Sequence, residues 1–148
     1  MKSGMTPIVR WTARFMTPFI MVLGFYVILH GHLTPGGGFA GGVFIGGAYF
    51  LMVLAYGSDE AKSVFYKRRA SLFECAGIFV FWFLAVLGLL RNGVFFLNVL
   101  QNAAPGKPYA VFSAGIIPLC NLAIGIEVAA GLFSMFITLA VLSRKEKP

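Results

Sequence analysis

Charged residues are scarce in this sequence: they make up only 11% of its 148 residues, against roughly 25% in an ordinary soluble domain. Hydrophobic residues make up 59% and include sixteen Phe. This composition excludes a disordered chain. It also excludes a single soluble core, because a soluble domain of this length keeps roughly 30% of its surface in water after folding. The solvent for the remaining apolar surface is therefore lipid, which predicts an integral membrane protein.

Acidic residues and cysteines are rarer still. Twelve Lys and Arg stand against five Asp and Glu, which gives a net charge of +7. Nucleic acid is not an expected partner, because the cations form short clusters between long apolar runs and not one patch. The two cysteines, Cys75 and Cys120, fall near opposite ends of predicted membrane spans, too far apart for a disulfide. The first ten residues lack a signal-peptide cleavage pattern, so Met1 is expected to begin the mature chain.

Four apolar runs are long enough to cross a bilayer, because about 20 residues rising 1.5 Å each cover the roughly 30 Å hydrocarbon core. They predict an all-α integral membrane protein with four transmembrane helices in a single membrane domain over residues 1–148. The expected spans are about 11–30, 38–56, 72–90 and 115–142. A shorter apolar piece at 94–100 is expected to lie along the membrane surface or to begin a loop outside it.

The distribution of positive residues predicts the orientation, because cytoplasmic loops retain Lys and Arg. Arg91 and Lys107 lie on one side of the predicted membrane. Ten lie on the other side: Lys2, Arg10, Arg14, Lys62, Lys67, Arg68, Arg69, Arg144, Lys145 and Lys147. The sequence therefore predicts a multi-pass protein of the cell membrane with both termini in the cytoplasm.

A glycine-rich segment separates the first two spans. Pro35, Gly36 and Gly37 cannot form the interior of a stable helix, so a tight turn with close backbone approach is expected there. Beyond the turn, Gly38, Gly42 and Gly46 recur every fourth residue and share one helical face. This spacing lets a partner helix approach closely in lipid, within the chain or on a neighbouring one.

Two histidines, His30 and His32, precede this turn. They are interpreted either as structural residues at the membrane surface or as part of a proton pathway, since imidazole titrates near neutral pH. A metal site is not expected, because no Cys, Asp or Glu lies near them in the sequence. No pattern in the sequence calls for a cofactor.

Three further polar residues lie in the predicted spans. Glu127 is within about two residues of the centre of the fourth span, where an ionised carboxylate costs at least about 2.5 kcal/mol. It needs a partner, a water-filled cavity or a proton, and serves either ion transfer or an interhelical hydrogen bond. Asn121, on an adjoining face of the same span, is a second polar residue and a candidate for a hydrogen-bond network with Glu127. Glu74 either gains from the helix dipole and the nearby basic cluster or belongs to the ion path.

The residues named above resemble a known family. The segments TPFI at 17–20, YVILHGH at 26–32, PGGGF at 35–39 and LAYG at 54–57 are similar to the MnhB family, the B subunits of Mrp-type multisubunit cation/proton antiporters. The chain also resembles the equivalent subunit of archaeal membrane-bound hydrogenases and their sulfur-reducing relatives. In the fourth span, NLAIG at 121–125, Glu127 and AGLF at 130–133 carry the similarity.

The resemblance implies a small four-helix subunit that works among other small and large antiporter-type subunits and helps to shape a path for Na⁺ or H⁺. It marks His30, His32 and the turn at 35–39 as family-typical and implies no cofactor. The sequence has no nucleophile with a paired base, no cysteine cluster and no dinucleotide fingerprint. The chain is therefore not expected to be an enzyme. A stand-alone antiporter, a redox-driven complex and a pure assembly scaffold all stay open.

Overall fold

The computed structural model describes residues 5–57, 67–100 and 113–145, and these ranges contain four long helices. They are α1 (Pro7–Leu29), α2 (Gly37–Tyr56), α3 (Lys67–Asn92) and α4 (Ile117–Lys145). All four are long and apolar enough to span a membrane, and the described ranges hold no strand. The prediction of an all-α protein with four transmembrane helices is confirmed. Lys2, Lys62, Lys107 and Lys147, used to predict the orientation, lie outside the described residues.

The helices pack in the spatial order α1, α2, α4, α3. Contacts join α1 to α2, α2 to α4 and α4 to α3, with a smaller contact between α1 and α4. At one end of the bundle, here called the terminal end, the Tyr56 hydroxyl donates a hydrogen bond to the Arg10 carbonyl at 3.4 Å. At the opposite end, called the turn end, residues 30–36 connect α1 to α2. The two central helices, α2 and α4, therefore hold the bundle together.

Glycines on α2 set how closely its neighbours approach. On the face toward α1, a Cβ added to Gly41 would overlap the Ile28 side chain and lie 2.6 Å from the Gly24 carbonyl oxygen. Such contacts leave no room for any side chain, so the α1 and α2 backbones meet here. In lipid, where apolar burial gives no driving force, this close packing is what joins helices.

The two outer helices expose their apolar side chains. On α1, Ile8 and Trp11 are 78% and 71% exposed, and on α3 Leu90 is 78% exposed. A water-soluble protein does not expose patches of this extent. These faces fit acyl chains or the helices of other membrane subunits.

The segment after α3 folds back on that helix. The Phe96 backbone N–H donates to the Ala85 carbonyl at 3.2 Å, and Gly88 leaves room for Leu97. Asn98 then fixes the start of α4: its side-chain amide donates to the Ala114 carbonyl at 2.8 Å, and its Oδ1 accepts from the Ile116 N–H at 3.0 Å. The apolar piece at 94–100, expected either along the membrane surface or at the start of a loop outside it, thus packs at the turn end against α3 and the start of α4.

Candidate ion pathway

Two carboxyl groups lie at the contact between α3 and α4. Glu74 is on α3 and Glu127 is on α4, and both are half-buried. Each lies opposite a glycine of the other helix. A Cβ on Gly131 would lie 3.7 Å from Glu74 Oε1, and a Cβ on Gly77 would lie 2.9 Å from Glu127 Cβ.

The pairing of glycine with glutamate fixes the relative level of the two carboxyl groups. Glu74 is level with Gly131, which is four residues, or about 6 Å, along α4 from Glu127. Glu127 is level with Gly77, three residues along α3 from Glu74. The antiparallel helices therefore place the two acidic residues about one helical turn apart in one seam. This juxtaposition joins two residues that the sequence offered only as separate candidates.

The seam lies inside the membrane. Glu127 is within about two residues of the middle of the apolar stretch Ile117–Ala140, and Glu74 is about one turn closer to the terminal end. Within the described part of the chain, neither carboxyl group has a hydrogen bond or an ion pair. An ionised carboxylate at this depth without a partner costs several kcal/mol. A proton, a bound cation, water or a group from another subunit must therefore compensate these two residues.

Asn121 lies at the glycine-rich turn and not in the seam. Its Oδ1 accepts a hydrogen bond from the Gly38 N–H at 3.4 Å, and a Cβ on Gly31 would lie 2.8 Å from its amide nitrogen. The Gly38 N–H is among the first four of α2, which have no acceptor within their own helix. Asn121 thus caps α2 from a different helix. Six residues separate it from Glu127, about 9 Å along α4 and about 120° around it.

The turn itself needs glycine for its backbone angles. Gly36 has φ +128° and Gly37 has φ +62°, both in the region that residues with side chains rarely adopt. A Cβ on Gly38 would overlap the backbone of Asn121. The turn from α1 to α2 therefore packs directly on α4, with Pro35 exposed beside it.

The predicted glycine ladder packs within the chain. Gly38 contacts the Asn121 backbone, Gly42 lies against Gly125 and Val128, and Gly46 lies against Leu132. Each added Cβ would lie within about 3 Å of α4. The helix that the ladder accepts is α4 of the same chain, a choice that the sequence left open.

The two histidines also lie at the turn end. The His30 ring stacks on Tyr26 with centroids 4.3 Å apart, and its Nδ1 lies 3.2 Å from the Tyr26 carbonyl oxygen. His32 is half-buried. The described residues contain no group of three metal-binding side chains. The histidines are thus held near Asn121, on the opposite side of Glu127 from Glu74.

An apolar cavity of about 180 Å³ lies among the four helices, and α4 contributes most of its lining. Its lining includes Phe25, Ile45 and Phe73 but none of the histidines or carboxyl groups. The candidate polar residues therefore do not line this cavity.

The sequence gives Gly131 as one of the small residues on the face of Glu127 and within the family-like AGLF segment, but it does not single out Gly77. Each glycine follows other small residues, Cys75 and Ala76 in one case and Ala129 and Ala130 in the other, and neither belongs to a ladder of glycines at every fourth residue. The signal that could have found Gly77 is a glycine in the interior of an apolar helix. Such a glycine costs up to about 1 kcal/mol of helix stability relative to Ala and needs a packing reason.

Four packed helices that can span a membrane, with a glycine-rich turn and a half-buried acidic seam, define a small polytopic membrane protein. A family model described as a domain related to the MnhB subunit of the Na⁺/H⁺ antiporter matches residues 8–134. The chain belongs to this MnhB-related family.

Two individual relatives are similar to this chain over part of their length. The uncharacterized protein MJ1307 of Methanocaldococcus jannaschii is 37% identical over 131 residues, which are 86% of this chain and 49% of that protein. A Staphylococcus aureus protein described as antiporter subunit mnhB2 is 38% identical over 53 residues, 36% of this chain and 38% of its own. This chain thus spans half or less of the curated relatives it matches.

A solved structure shares the fold. One chain of the membrane-bound sulfane sulfur reductase, an archaeal respiratory membrane complex, aligns with a TM-score of 0.78 and 31% identity. The alignment covers 94% of this chain and 60% of that chain. The same four-helix unit therefore occurs in a respiratory complex as well as in the antiporter family.

Proposed function

We propose that this chain is a non-catalytic subunit of a multisubunit Na⁺/H⁺ antiporter module and that Glu74 and Glu127 form part of its ion path. The supporting observation is the seam: two carboxyl groups one turn apart, inside the membrane, each beside a glycine of the facing helix. Carboxyl groups at this depth bind protons or Na⁺ readily, since both ions remove the cost of an isolated negative charge.

The depth of each residue in the bundle gives the order of the sites along the proposed path. Glu74 lies toward the terminal end, Glu127 near the middle, and the histidines at the turn end. With both termini in the cytoplasm, as the positive residues predict, an ion would pass from the cytoplasmic side to Glu74 and then to Glu127. His30 and His32 are then candidates at the outer surface. The partners are other small and large antiporter-type subunits, with lipid around them.

Glu127→Gln and Glu74→Gln test the proposal in the assembled complex. Glutamine keeps the size and a hydrogen-bonding group but cannot titrate. We expect each variant to assemble normally and to lower Na⁺-dependent proton movement in membrane vesicles at least tenfold. Glu60→Gln, which removes a carboxyl group from the segment between α2 and α3, is the matched control and should transport normally.

The double variant tests whether the two residues act together. If they serve one path, Glu74→Gln combined with Glu127→Gln should lose little more activity than either single variant. Normal transport over the full pH range by an assembled Glu127→Gln complex would contradict the ion path. The chain would then be an assembly scaffold whose carboxyl groups only bind neighbouring helices.

The sulfane reductase likeness favours a second setting for the same module. In such a complex, redox chemistry on other subunits would drive the ion movement. Subunits that co-purify with this chain distinguish the two settings, because only the respiratory complex contains redox proteins.

A further inference from the structure

The exposed face of α1 carries a charge that the ion path does not use. Arg14 is exposed, and it lines a shallow recess with Trp11, Phe15, Pro18 and Phe19. Within the described residues it has no hydrogen bond or ion pair. The neighbouring Arg10 is different, because its guanidinium lies 5.9 Å from the centre of the Tyr56 ring. Arg14 is therefore the cation of α1 that faces outward.

The depth of Arg14 follows from the contact between α1 and α2. Gly41 of α2 lies against Gly24 of α1. Arg10 is fourteen residues from this contact along α1, and Tyr56, the last residue of α2, is fifteen residues from it along the antiparallel α2. The two residues are therefore at about the same level, and the Tyr56 hydroxyl bonds the Arg10 carbonyl. A helix of 20 residues is about 30 Å long, so α2 matches the hydrocarbon core and Arg10 marks its edge. Arg14 is four residues, or about 6 Å, deeper.

The direction of the side chain brings the charge back to the surface. Side chains on a helix lean toward its N-terminus, and for α1 this is the terminal end. The three-carbon stem of Arg lies along apolar surface while the guanidinium reaches the headgroup level. Trp11, 71% exposed and about one turn nearer the edge, is the residue type that anchors helices at that level.

The side chains of this recess favour a phosphate group as the ligand. Guanidinium binds phosphate oxygens with two parallel hydrogen bonds, and the terminal end also carries Arg69 and the neighbouring basic cluster. We propose that Trp11 and Arg14, with the recess beside them, bind an anionic phospholipid whose phosphate lies on the guanidinium and whose acyl chain follows α1. The inference does not depend on ion conduction by Glu127.

The two tryptophans of the chain allow a direct test. In a Trp82→Phe background, Trp11 is the remaining tryptophan and reports which lipid touches it. The purified full chain is placed in vesicles with phosphatidylcholine and phosphatidylglycerol, one of them brominated on its acyl chains. We expect bromine quenching to show about a fivefold preference for phosphatidylglycerol, in line with one basic residue at an anionic surface.

Arg14→Gln should bring this preference close to one, and Arg14→Lys, which keeps the charge but not the two parallel hydrogen bonds, should keep only part of it. The matched control is Trp82 in a Trp11→Phe background, which should show no preference. Inorganic phosphate at fixed ionic strength should not compete, because it lacks the acyl anchor. No preference at Trp11, a preference that survives Arg14→Gln, or one that free phosphate abolishes would each overturn the proposal.

The assembled complex gives a second readout. Mass spectrometry of the purified complex should find less co-purified phosphatidylglycerol with Arg14→Gln than with Arg91→Gln, which removes the same charge at the turn end. Loss of a protein subunit without loss of lipid would show instead that Arg14 binds a carboxylate of a partner helix, and would overturn the lipid site.

Discussion

Two glycines of α2 offer a matched test of how the bundle is held together. A Cβ on Gly42 would lie 2.8 Å from both the Gly125 carbonyl oxygen and Val128 Cβ, whereas a Cβ on Gly47 would meet no atom within 4 Å. Replacing either by Ala changes helix propensity equally, by up to about 1 kcal/mol in favour of Ala. The two variants therefore differ only in what the new methyl group meets.

The magnitude follows from the gap that α2 and α4 must open. Carbon atoms in contact lie about 3.5–4.0 Å apart, so Gly42→Ala forces α2 and α4 apart by about 1 Å at this point. Overpacking of this kind costs about 1–3 kcal/mol, and the propensity gain offsets part of it. We expect Gly42→Ala to lower the free energy of unfolding by up to about 2 kcal/mol and Gly47→Ala to leave it unchanged or raise it by up to about 1 kcal/mol, so that the two variants differ by about 1–3 kcal/mol.

Reversible unfolding of the purified chain in mixed detergent and SDS micelles measures this difference. A larger pair, Gly42→Leu and Gly47→Leu, extends the test to cells: Gly42→Leu should insert in the membrane but fail to assemble, and Gly47→Leu should assemble. Equal stability of the two Ala variants, together with normal assembly of Gly42→Leu, would refute the packing of the glycine ladder on α4.

Three further outcomes are expected. Asn121→Ala should lower the free energy of unfolding by about 1–3 kcal/mol, because the Gly38 N–H loses its acceptor, and a Leu119→Ala control should cost less. Gly131→Ala should leave stability unchanged or higher, since its Cβ would meet Glu74 only at 3.7 Å, yet lower transport if the space beside that carboxyl group holds water or an ion. In a background without Cys75 and Cys120, an impermeant thiol reagent outside the cell should label cysteine introduced at position 107 and not at 67; the reverse pattern would invert the orientation.

The helices could be predicted from the sequence because each is a long and mostly apolar run, and the few polar residues inside these runs do not shorten them below the length that crosses a bilayer. The end of α1 at Leu29 and the start of α2 at Gly37 follow from proline and glycine, whose backbone constraints are local. Helix ends in polar sequence were less accurate: α3 begins at Lys67, five residues before the expected start, because its first turn is basic and carries no apolar signal.

The arrangement of the helices could not be predicted in the same way. A ladder such as Gly38, Gly42 and Gly46 shows that a helix approaches closely but not which one, because any helix backbone can use the same groove. The sequence offers Asn121 as a candidate for the network of Glu127 because both are polar and lie on one helix. In the structure it faces α2 instead, since an N–H at the start of α2 needs an acceptor and the seam lies about 120° away.

The two glycines of the acidic seam, Gly77 and Gly131, differ in the space that the facing helix leaves beside them. At Gly77 the facing atoms are the backbone nitrogen and Cβ of Glu127, at 3.0 and 2.9 Å, so glycine is needed for the two helices to touch. At Gly131 the nearest atom is a carboxyl oxygen at an ordinary distance, and a methyl group would fit. Packing therefore accounts for glycine at 77 but not at 131. What glycine provides at 131 is free space beside the Glu74 carboxyl group, at the depth where a charge needs water or a counter-ion. The proposed ion path would use that space, and the transport of Gly131→Ala measures whether it does.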